Sequence, residues 1–115
     1  MKLNIEIETN DRMLTSDLFE SREFSAGQTE KVITEGISIR WEGGLKRKGL
    51  GFPEIVRITL FIAEKVVLPV AISLTAKWLY DKLKGRANKI TIEYTVVEID
   101  EGEIKKVLTK KIEKK

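Results

Sequence analysis

Leu3, Ile5 and Ile7 alternate with Lys2, Asn4, Glu6 and Glu8, the period-two pattern of a strand with one buried face over residues 2–8. Thr9-Asn10-Asp11 closes it. Met13, Leu14, Leu18 and Phe19 then recur at helical spacing without forming a continuous stripe. Residues 12–24 therefore read as a short helix capped by Asp11, or as a hairpin arm that adds a strand near 13–24. From Ser25 to Gly36 the chain is polar and has no clear period. Ile37, Ile39 and Trp41 alternate with Ser38, Arg40 and Glu42, which predicts a second strand over 37–41, ended by Gly43-Gly44.

The segment Glu54–Lys84 dominates the apolar inventory. Phe52-Pro53-Glu54 has proline and acid where a helix begins. At helical spacing Glu54, Arg57, Glu64 and Lys65 share one arc, while after Pro69 the polar arc is Ser73, Lys77, Asp81 and Lys84, rotated about half a turn. Pro69 removes a donor and clashes with the preceding turn, so the pattern predicts one long helix kinked at Pro69, or two consecutive ones, stopping at Gly85. The β-branched run Ile55-Val56-Arg57-Ile58-Thr59 leaves a strand as the lesser alternative for the first half.

Ile90, Ile92, Tyr94 and Val96 alternate with Thr91, Glu93 and Thr95, which predicts a strand over 89–98. Asp100, with Glu103 three residues on, has the form of a capping box. It opens a C-terminal helix with the stripe Ile104, Val107, Leu108 and Ile112. The expected architecture is a single domain, 1–115, in the α+β or α/β class. A mixed sheet of three to four strands is covered by the long helix and the C-terminal helix. The last two strands would run parallel if adjacent, because a crossover helix joins them.

Composition narrows the function classes. With 42% hydrophobic and 34% charged residues the chain is globular rather than disordered. It has no Cys and no His, which removes disulfides, Cys/His zinc sites, cysteine nucleophiles and the usual general base. No carboxylate or lysine constellation replaces them. We expect no catalytic residues, no metal site, no cofactor and no enzyme activity of the chain alone. The net charge of +3 is too mild for a polyanion-coating protein, and nucleic acid is not the expected partner. Fifteen of the 21 cations are Lys and 14 of the 18 anions are Glu, which fits ion-pair networks working at high temperature or the codon bias of an AT-rich genome. The alternating, acid-bearing start is unlike a secretory signal, and a cytoplasmic location is expected.

The chemistry that remains is binding. The loop Gly43–Gly51 holds Lys46-Arg47-Lys48-Gly49 among glycines, ahead of an expected helix N-terminus, a setting that suits a phosphate or carboxylate. It is not a P-loop, because Gly49 is followed by Leu50-Gly51 instead of Lys and Ser/Thr. A solvated connection explains the same residues. Ser73 and Lys77 read as a polar helix face, and the Lys pairs of the last helix as a solvated one. The longest uncharged run, Val66–Ala76, is too short to span a bilayer. Peripheral contact through Trp78 and Tyr80, with Lys77, Lys82, Lys84 and Arg86 nearby, stays open.

Residues 76–108, AKWLYDKLKGRANKITIEYTVVEIDEGEIKKVL, resemble small uncharacterised prokaryotic proteins of the effector-associated constant component type. The likeness lies in an apolar helix ending in Trp78-Leu79-Tyr80, a basic turn, a strand, and Val97-Glu98-Ile99-Asp100 opening an amphipathic helix. It implies a small α/β protein with an adaptor or interaction role and no catalytic residues. The inventory between Ile55 and Leu83 points the same way, since a helix apolar nearly all round needs cover on more than one side. A two-fold dimer with the long helices facing each other is expected, its interface including Phe61 and Leu68, with Trp78 or Tyr80 as anchors. A protein partner of another kind, or a membrane surface, answers the same need.

Overall fold

A computed structural model describes residues 1–45, 52–66 and 68–114. The strands are β1 (Lys2–Thr9), β2 (Glu30–Thr34), β3 (Ile37–Leu45), β4 (Glu54–Ile62), β5 (Ala87–Ile92) and β6 (Thr95–Val97); the helices are α1 (Leu14–Phe19), α2 (Leu68–Leu83) and α3 (Glu101–Glu113). They build an α+β fold on one six-stranded sheet, ordered β2-β3-β4-β1-β5-β6, in which each described pairing is antiparallel. The expected mixed sheet of three to four strands is thus corrected to six antiparallel ones. β3 and β5 are not adjacent, because β4 and β1 lie between them.

The largest correction concerns residues 54–62, which are a strand and not the first half of a helix. Five of the nine residues of β4 are β-branched (Ile55, Val56, Ile58, Thr59, Ile62), which suits a pleated surface and strains a helix. β4 pairs with β3 on one side and β1 on the other, so its backbone groups are satisfied by ladders on both edges. Pro53 precedes the strand, where its missing N–H costs no ladder bond. Pro69 does not kink a long helix either. It is the second residue of α2, in a first turn whose N–H groups have no intrahelical partner. The half-turn jump of the polar arc at Pro69 is the point where period two gives way to period 3.6.

β4–α2–β5 is a split β-α-β unit with β1 between its strands. One face of the sheet is apolar. Leu3, Ile5 and Ile7 lie opposite Leu60, Ile58 and Val56, and Ile37 and Ile39 opposite Ile62 and Leu60; all are buried. α2 covers this face with Ala71, Ile72, Thr75, Ala76, Leu79 and Leu83, and α3 with Ile104, Leu108 and Ile112. α1 buries Leu14, Leu18 and Phe19, and Phe24 links Phe19 to Trp41 at ring-centroid distances of 6.2 and 5.4 Å.

Several boundaries match the sequence pattern. α2 ends at Leu83, two residues before Gly85, which holds φ +72°, and Asp100 caps α3 by accepting from the Glu103 N–H at 3.0 Å. α1 takes the short-helix alternative and replaces the added strand near 13–24. Its N-cap is Met13, while the Asp11 carboxylate accepts from the Met13 N–H. The strand expected over 89–98 is broken at Glu93-Tyr94, whose φ values of +44° and +70° turn β5 directly into β6. The turn reverses the alternation: Tyr94 and Val96 are exposed, and Val97 is buried.

Two substitutions test this packing. The Thr75 side chain is 1% exposed, and among the described residues its hydroxyl has no hydrogen-bond partner. Thr75→Val keeps the shape and removes the orphan group, so it should raise unfolding stability by about 1 kcal/mol in a denaturant titration. Gly36 holds φ +81° in the β2–β3 turn, and a methyl there overlaps the Val66 side chain. Gly36→Ala should lower stability by about 2 kcal/mol in the same titration.

Candidate functional site

The basic loop expected to bind anions falls in the chain between β3 and β4. Lys46, Arg47, Lys48 and Gly49 lie outside the described residues. The described segments on either side are a strand ending at Leu45 and a strand starting at Glu54, with Leu45 and Phe52 both exposed. No helix N-terminus follows the loop, so the dipole and free N–H groups invoked for an anion are not there.

Phe61 and Leu68, expected on one helix face, lie on opposite sides of the sheet. Phe61 points to the open face, half-buried, with the Arg40 guanidinium 4.8 Å from its ring centroid. Leu68 belongs to the helix layer and lines a groove of about 440 Å³ with Pro69, Ile72, Ser73, Lys105, Thr109, Ile112 and Glu113. Trp78 and Tyr80 are half-buried against the core, and the Lys84 ammonium sits 5.5 Å from the Tyr80 ring centroid.

The open sheet face is polar and charge-matched. Arg57 faces Glu6 at 3.5 Å, Arg40 bonds Glu42, and Lys89 lies opposite Glu8 in the β1–β5 register. Both arginines are answered by carboxylates, so this face offers no arginine stripe to a phosphate backbone. Among the described residues no group of three or more acidic side chains could hold a metal ion. No described helix is long and apolar enough to cross a membrane.

Exposed apolar residues are scattered over the surface, Val32, Tyr94 and Val96 among them, and α2 carries a row of them. Val70 is 55% exposed and Leu74 45% exposed, one turn apart, and half-buried Trp78 continues the row. α3 packs on α2 along the groove flank, where Ile72 and Ile112 line the cleft between them. Glu20, at the end of α1, is held below its ordinary value by the Lys31 hydrogen bond first and by the Lys82 charge of α2 last. Val70 and Leu74 lie on the N-terminal half of α2.

No family model, curated protein or solved structure matches the chain. Its surfaces must be read from their own chemistry.

One polar cluster escaped the sequence pattern altogether. Arg86, in the turn after α2, donates from Nε to Asp11 and from Nη2 to Asp17, each at 2.6 Å. The buried Thr9 hydroxyl donates to the Arg86 carbonyl at 2.5 Å and accepts from the Asp11 N–H, and Asn88 donates to Asn10 at 2.7 Å. These bonds pin the β1–α1 connection to the α2–β5 turn, which are about 75 residues apart in sequence. The Arg86 hydrogen bond, then the Met13 N–H, hold the Asp11 carboxyl below its ordinary value. A depressed carboxylate stabilises the fold above its unfolded-state pKa near 4, and that stability is lost as pH falls through the folded value. Stability should therefore decline on acidification below about pH 5. Arg86→Met should cost about 1 kcal/mol at pH 7 and flatten the acid decline, as read by thermal unfolding from pH 7 to pH 2.

Proposed function

We propose that this protein is a non-enzymatic interaction domain that associates through the outer flank of α2. The observation that carries the proposal is the row Val70, Leu74 and Trp78, with the first two about half exposed on the helix that also forms the middle of the core cover. Single exposed apolar residues are ordinary, but a contiguous row on one helix flank marks a contact surface. The resemblance of residues 76–108 to adaptor-type proteins supports the same role. The expected interface is accordingly moved from Phe61 to Val70 and Leu74, with Trp78 kept as anchor and Leu68 at the rim.

Phosphate or nucleotide binding by the 43–51 loop now rests on the charges of Lys46, Arg47 and Lys48 alone. Peripheral membrane contact by the Trp78 end of α2 is weakened by Asp81, exposed within the same flank.

Light scattering over a concentration series tests the proposal. The wild-type mass should rise above the 13.1 kDa of one chain, and Leu74→Glu should return it to that value. The melting temperature of the variant should stay within a few degrees, because residue 74 is already solvent-exposed in one chain. A monodisperse 13.1 kDa species at high concentration, with no binding to anionic liposomes, would overturn the reading.

A further inference from the structure

We draw no further inference here: the strongest candidate, the apolar groove between α2 and α3 that Leu68, Ile72 and Ile112 line, carries rim charges of opposite sign on Lys105 and Glu113 that select no ligand, and nothing in the structure shows what covers it.

Discussion

β1 is hydrogen-bonded along its full length to β4 and over its second half to β5, and neither neighbour is next to it in the chain. β1 occupies the slot that a direct β4–β5 pairing would need, so the chain must leave the sheet after β4 and return on the far side of β1. α2 is that bridge. It lies over the most apolar strands, Leu3-Ile5-Ile7 and Val56-Ile58-Leu60, and its inner face is correspondingly apolar or small. Once α2 is fixed there, α3 can cover only the β5–β6 side, and α1 with Phe24 closes the part near Trp41. The outer flank of α2 is among the surfaces that this division of cover leaves to solvent.

How much of this was legible follows from what each strand does in the sheet. β1 alternates cleanly because its outward face meets water, and residues 2–8 could be read directly. β4 sits in the middle, and its outward positions include Ile55, Thr59 and Phe61, so between Ile55 and Ile62 Arg57 is the one charged residue. A run of that kind has no period to read, and Pro53-Glu54 supplied a false helix start. β2 failed for the opposite reason. It is an edge strand, Val32 points to solvent, and burial leaves little trace in Glu30–Thr34. The split of 89–98 was hidden because Glu93 and Tyr94 adopt left-handed backbone without the Asn or Gly that usually announces such a turn.

The surfaces were less legible than the fold. Lys46, Arg47 and Lys48 stood out as a run, yet a strand follows them in place of the helix that made them attractive as an anion site. Val70, Leu74 and Trp78 share helical spacing in the sequence, but which side of α2 meets the sheet, and so leaves Val70 and Leu74 exposed, is fixed only by the fold. The Arg86 cluster joins Asp11 and Asp17 across the whole fold, and no local pattern encodes such a pairing.

The two ends of the sheet bear on how this chain behaves when crowded. β6 offers three residues as an edge, and β2 offers five with a register irregularity between Val32 and Thr34. Neither presents a long flat template of unpaired amides to an incoming strand. Growth by strand addition, the route to open-ended fibres, is thus obstructed at both margins. The exposed apolar row of α2 sits on a helix, where contacts saturate after a fixed number of copies. High concentration should therefore favour finite, dissolvable particles over filaments.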